Sequence, residues 1–178
     1  MKIGERKEPE NLGSPRENEE EMKGATEPQD PSPAFSIDTL LPFEYGPPPP
    51  DFNHLSQIQY NDKEVETEIG AVYIGEWLLE HGKPPLRHGK GKQRMEDGSS
   101  FEGWWCNGVA KGRGRYIDMP KGLLYEGEWE GNKKNGVGLF RWPDGRTYTG
   151  HFSQNMFSGQ GKLTWPNGQS YEGQWRAN

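Results

Sequence analysis

An aromatic residue, a glycine two positions on and a second aromatic two further on form a pattern that occurs five times in the chain. The copies are Tyr73-x-Gly75-x-Trp77, Phe101-x-Gly103-x-Trp105, Tyr125-x-Gly127-x-Trp129, Tyr148-x-Gly150-x-Phe152 and Tyr171-x-Gly173-x-Trp175. Their leading aromatics are 28, 24, 23 and 23 residues apart. Seven residues after the second aromatic comes Gly-x-Gly, at Gly112/Gly114, Gly136/Gly138 and Gly159/Gly161. In the first unit that gap is 12, so Gly89/Gly91 follow an insertion around Gly82-Lys83-Pro84-Pro85-Leu86. Gly70, Gly98, Gly122, Gly145 and Gly168 each stand three residues before a leading aromatic.

Alternate residues of a strand share a face. Tyr125, Gly127 and Trp129 therefore point one way, and the glycine leaves room for rings to lie across the backbone. Gly136, Gly138, Phe140 and Trp142 share a face in the returning segment, as do Gly159, Gly161, Leu163 and Trp165. Asp97-Gly98, Asp144-Gly145 and Asn167-Gly168 are two-residue hairpin signals. The pattern predicts an all-β fold: an elongated single-layer antiparallel sheet in which every unit is a hairpin and units follow one another in a solenoid-like array. The array occupies residues 73–178. Residues 60–72 form an N-terminal capping strand, and the glutamates of 63–69 discourage edge-to-edge pairing. Tyr171–Trp175 is a half-unit, either a cap or an edge open to pairing and oligomer formation.

These residues resemble the MORN (membrane occupation and recognition nexus) repeat family, whose unit reads roughly Tyr-x-Gly-x-Trp-x-x-Gly-x-x-x-Gly-x-Gly and ends in Asp-Gly. The resemblance covers about residues 70–178. Departures are the Pro84-Pro85 insertion, one extra residue at Met119-Pro120-Lys121-Gly122, and His151-Phe152 where Glu-Trp is usual. The resemblance implies a twisted single-layer sheet with an aromatic-lined groove, and interaction rather than catalysis. Similar arrays serve as scaffold parts of ciliary and flagellar axonemes and of cytoskeletal collars. Others tether membranes in junctophilins, or accompany kinase and methyltransferase domains.

Composition divides the chain. Residues 1–59 hold 12 Asp/Glu against 5 Lys/Arg and 10 of the 15 prolines, and lack tryptophan. The remainder is nearly neutral and holds all 7 Trp and 21 of the 25 Gly. The formal charge of −6 thus averages an acidic arm and a balanced body. Residues 1–59 are expected to be a Pro-rich disordered tail. Within it, residues 34–45 are dense in apolar side chains, as a docking segment would be. Phe35, Ile37, Leu40, Leu41 and Phe43 are its candidate contacts, on another protein or back on this sheet.

No apolar run approaches the ~20 residues that span a bilayer, and no secretory signal is visible at Met1-Lys2-Ile3. Cys106, the single cysteine, excludes an internal disulfide and a Cys-based zinc site. His54, His81, His88 and His151 lack metal-ligand spacing, and no Walker motif or catalytic constellation is present. Glu76, Glu102, Glu126 and Glu172 recur as ladder residues opposite the rings. The expectation is a protein without enzymatic activity, metal, cofactor or nucleic-acid partner.

Binding is the remaining expectation. Tyr73, Trp77, Phe101, Trp105, Tyr125, Trp129, Trp142, Tyr148, Phe152, Trp165, Tyr171 and Trp175 form an apolar strip on one face. Because one layer leaves rings uncovered, that strip is expected to dock a helix or an extended segment of a partner protein. Lys90, Lys92, Arg113 and Arg115 form a basic stripe opposite, the candidate site for an anionic membrane or phosphoinositides. The preferred expectation is a cytoplasmic scaffold subunit of a cytoskeletal or axonemal (cilium or flagellum) assembly. The alternative is a peripheral membrane tether.

Overall fold

A computed structural model of the protein describes residues 40–50, 52, 57–67 and 69–176. Ten strands follow one another: β1 Ile58–Glu66, β2 Val72–Leu78, β3 Leu86–Arg94, β4 Ser100–Cys106, β5 Val109–Asp118, β6 Leu123–Glu130, β7 Lys133–Arg141, β8 Thr147–Ser153, β9 Met156–Thr164 and β10 Ser170–Trp175. They form one open sheet in sequence order, each strand antiparallel to the next. The expected all-β hairpin array is therefore the fold. The capping strand begins at Ile58 and ends at Glu66, and Thr67, Ile69 and Gly70 belong to the turn into β2. Of the tail 1–59 expected to be disordered, residues 1–39, 51 and 53–56 lie outside the described residues, whereas residues 40–50 and 52 are placed against the sheet and Ile58 already belongs to β1.

The glycine pairs hold the register. Gly75 faces Gly91, which faces Gly103, and Gly103 faces Gly114. The row continues through Gly127, Gly138, Gly150, Gly161 and Gly173. A Cβ at Gly91, Gly138 or Gly161 would collide with the ring of Tyr73, Tyr125 or Tyr148, which crosses the neighbouring strand at that point.

Two kinds of turn alternate. Asn107-Gly108, Gly131-Asn132 and Gln154-Asn155 are two-residue turns with both φ positive, as type I′ requires. The Asp-Gly and Asn-Gly signals build a different loop. Gly145 N donates to Trp142 O at 3.1 Å and Trp142 N donates to Arg146 O at 3.0 Å. Only the glycine has positive φ there, 88° at Gly145. These loops are therefore three residues long, a type I turn closed by a left-handed glycine, and not the two-residue turns that the dipeptides suggest. The acid supports the turn from its side chain, as when Asp144 Oδ1 accepts from Arg146 N at 2.9 Å.

A bulge recurs in hairpins β2–β3, β4–β5, β6–β7 and β8–β9, just beyond the paired glycines. Bulges bend a strand and raise its twist. Repeated at one place in each unit, they turn the aromatic face in on itself. One continuous core results, containing Tyr73, Phe101, Trp105, Tyr116, Tyr125, Trp129, Phe140, Trp142, Tyr148, Phe152 and Leu163.

Candidate functional site

Rings on the inner face meet edge to face, within units and between them. Tyr73 meets Trp105 at 5.6 Å, Phe101 meets Trp129 at 5.1 Å, Tyr125 meets Phe152 at 4.9 Å and Tyr148 meets Trp175 at 5.1 Å. This geometry is the one that the ring quadrupole favours. Three of the repeat tryptophans also donate to the backbone of the preceding strand, Trp105 to Gly91 O at 3.2 Å, Trp129 to Gly114 O at 3.0 Å and Trp175 to Gly161 O at 3.0 Å. Tyr73, Tyr125 and Tyr148 donate to the carbonyls of Glu76, Glu128 and His151. Burial pushes the phenols of Tyr73 and Tyr125 well above their ordinary range, and that of Tyr148 up to about 12.

This arrangement corrects one expectation. Tyr73, Phe101, Trp105, Tyr125, Trp129, Trp142, Tyr148 and Phe152 are buried core, not an uncovered strip. The bend at each bulge and the ring of the adjacent unit cover them. Trp77, Trp165 and Trp175 are half-buried, while Tyr171 is 48% exposed although it holds the same repeat position as buried Tyr148. At the other end, Trp77 Nε1 is buried without a hydrogen-bond partner among the described residues. The equivalent carbonyl would come from Asn61, where β1 bulges away.

One inner position varies between units. Arg87, Ala110, Lys134 and Phe157 each face the second aromatic of their hairpin. Lys134 is fully buried, with Nζ 5.5–5.9 Å from the ring centres of Phe140, Tyr125 and Tyr116. Burial lowers its pKa to about 7, against the opposing pull of the Asp118 carboxylate.

The outer face carries a charge ladder. Lys92 faces Glu102, Glu102 faces Arg115, and Arg115 faces Glu126. Ion pairs join Lys92 to Glu102 at 3.8 Å, and both Arg113 and Arg115 to Glu126 at 2.8 Å. Lys90 Nζ lies 5.4 Å from the ring centres of Tyr45 and Trp104. The candidate lipid-binding residues are thus brought together on one face, but each already has a carboxylate or a ring against it.

Trp104 is the residue that the repeat pattern did not single out. Opposite each bulge stands Glu76, Trp104, Glu128 or His151. Glu76 Oε2 accepts from Lys90 N at 2.5 Å, and the carboxylates of Glu76 and Glu128 occupy the space beside Gly89 and Gly136. In the second hairpin an indole stands in that place, and residues 40–50 with Phe52 cover it as a strap. Trp104 Nε1 donates to Tyr45 O at 2.9 Å, and the Phe52 ring packs against Trp104 and His88 at 5.2 and 4.7 Å. Pro49 lies against Gly112, in the space that a carboxylate fills in the flanking hairpins. Arg115 Nη1 donates to Leu41 O at 2.8 Å while its guanidinium lies over the Phe43 ring at 5.4 Å.

Of the expected docking contacts, Phe43 is buried on this protein's own sheet, Leu40 is half-buried and Leu41 is 79% exposed. Phe35 and Ile37 lie outside the described residues. The anchors of the strap are Phe43, Tyr45, Pro49 and Phe52. An aromatic, Trp104, standing where the flanking units have Glu76 and Glu128 was the sequence signal for them.

One hairpin recurring along an open sheet, with rings interlocked from unit to unit, defines a β-hairpin repeat protein. The MORN repeat model matches residues 86–100, 125–145, 148–170 and 171–178, so this stretch of the chain carries MORN repeats. Such repeats mark a protein-interaction or membrane-associated repeat protein. The stretch 101–124, which holds Trp104, lies between the matched segments. No curated protein matches the chain.

Proposed function

We propose that the protein is a non-enzymatic cytoplasmic scaffold, a subunit of a cytoskeletal or axonemal assembly of a cilium or flagellum, that docks a partner polypeptide through its repeat array. The observation that carries this reading is the ring cluster on the last hairpin. Exposed Tyr171 and half-buried Trp165 and Trp175 continue the interlocked core out to solvent. Rigid amphipathic rings with prepaid side-chain order make good anchors for a helix or an extended segment. The cytoskeletal or axonemal setting rests on what similar arrays do.

Partner protein is favoured over lipid because Glu102 and Glu126 neutralise part of the basic stripe and the Lys90 ammonium lies against rings. Arg113 and Arg115 share Glu126, and Lys92 faces Glu102. The test is affinity purification of the intact protein at moderate salt, beside a variant carrying Tyr171→Ser and Trp165→Ser. Cytoskeletal or axonemal proteins should be recovered by the first and lost by the second. Salt-sensitive flotation with phosphoinositide liposomes, abolished by charge reversal at Lys90, Lys92, Arg113 and Arg115, would replace this reading with the membrane tether.

A further inference from the structure

Four consecutive prolines, Pro47–Pro50, cross the outer face within the strap. Each ring fixes its own φ, and each of Pro47, Pro48 and Pro49 is held extended by the proline that follows it. The run therefore favours polyproline II, with three residues per turn and three edges. In that geometry Pro47 and Pro50 share one edge, Pro48 defines the second and Pro49 the third, and the run ends at Pro50, where a turn begins. Only Pro49 is buried, against Gly112, while Pro47, Pro48 and Pro50 are exposed. Both ends of the run are pinned. Gly46, with φ of 63°, turns the chain out of Tyr45, whose carbonyl is held by Trp104 Nε1. At the far end Phe52 N donates to Pro49 O at 3.0 Å, and the Phe52 ring is seated on His88 and Trp104.

We propose that Pro47–Pro50 is a displayed ligand for a proline-recognising domain, one whose aromatic-lined groove reads a polyproline II helix. Such grooves take two adjacent edges of the helix, and two adjacent edges face solvent here while the third is fastened to the sheet. Proline has no amide hydrogen, so this run cannot pair as an added strand. Exposed Glu44 on its flank favours a groove with a basic rim. Fastening at Tyr45, Pro49 and Phe52 removes much of the ordering cost that a free peptide would incur on binding. This surface is separate from the ring cluster of the last hairpin, so the two readings stand or fall independently.

The experiment titrates the full chain with a set of purified proline-recognising domains (SH3, WW and EVH1 domains, and profilin) by calorimetry, up to about 1 mM. At least one should bind and be displaced by free oligoproline. Pro47→Ala with Pro50→Ala should weaken that binding at least tenfold at unchanged melting temperature, because neither side chain is buried. Pro49→Ala should lower the melting temperature. Trp104→Glu, which unfastens the run, should weaken binding severalfold. Absence of binding by every domain of the set overturns the proposal, as does binding that survives the double substitution or is indifferent to Trp104→Glu.

Discussion

Glycine and tyrosine at facing positions are one device, not two independent preferences. The Tyr125 ring occupies the space above Gly138, and a methyl group there would collide with that ring. Gly138→Ala should therefore cost about 1–3 kcal/mol, the usual penalty for overpacking, read as a lower urea midpoint. Lys134 gives a second test. Its folded pKa of about 7 lies below the ordinary lysine value of 10.5, so unfolding takes up a proton between those values. Stability should rise with pH across that window, with a limiting slope of ~1.4 kcal/mol per pH unit for one proton. Lys134→Met should flatten the slope and raise stability at pH 7, as followed by denaturant melts from pH 6 to 10.5. Retention of the slope in that variant would assign it to other groups.

Hairpins differ by which end of the unit they close. Within a unit, two left-handed residues suffice, and Asn132 and Asn155 use their side chains as well. Their Oδ1 atoms accept from Ala110 N at 2.7 Å and Lys134 N at 2.8 Å, tying each turn to the unit before it. Asn155→Ala should lose both that bond and an easy left-handed conformation, costing about 1–2 kcal/mol. Gly145→Ala, at a φ of 88°, should cost a similar amount. Both are measurable as shifts of the thermal midpoint. The strap behaves differently because side chains hold it more than strand pairing does. Trp104→Glu restores the acid found in the neighbouring hairpins and should free residues 40–50 and Phe52 while leaving the sheet folded. Faster exchange of the Phe52 amide, which donates to Pro49 O, with the strand amides unaffected would report this, and unchanged exchange would show that the strap does not depend on the indole.

Across the molecule, each strand touches mainly the next, yet the rings of one unit complete the core of another. Trp105 caps Tyr73, Trp129 caps Phe101 and Trp175 caps Tyr148. Coupling of this kind makes neighbouring units stabilise one another. Trp129→Ala should accordingly loosen the hairpins on both sides of β6 and cost about 3–5 kcal/mol, the range for truncating a buried aromatic, visible as lost protection in β4–β7. The sheet order, the hairpin repeat and the inward face were legible in the spacing of Tyr, Gly and Trp, since period-two patterning assigns faces and glycine pairs assign register. The pairing of Lys92, Arg113 and Arg115 with glutamates was implicit in the same ladder, but became visible only once the register placed Glu102 and Glu126 opposite them.

The curl of the sheet, by contrast, depends on bulges that displace residues by fractions of a turn. No periodicity in the chain states how far a ring is thereby covered. For that reason the aromatic strip read as a docking surface became the core. The strap was legible only as an apolar segment containing Phe43, because Tyr45 and Phe52 meet Trp104, Pro49 meets Gly112 and Phe43 meets Arg115 across more than 50 positions of chain. Local pattern determined the repeating hairpin, whose contacts are between neighbours in sequence. Only the folded molecule decided which rings solvent can reach and where residues 40–50 and Phe52 come to rest, because both follow from contacts between segments far apart in the chain.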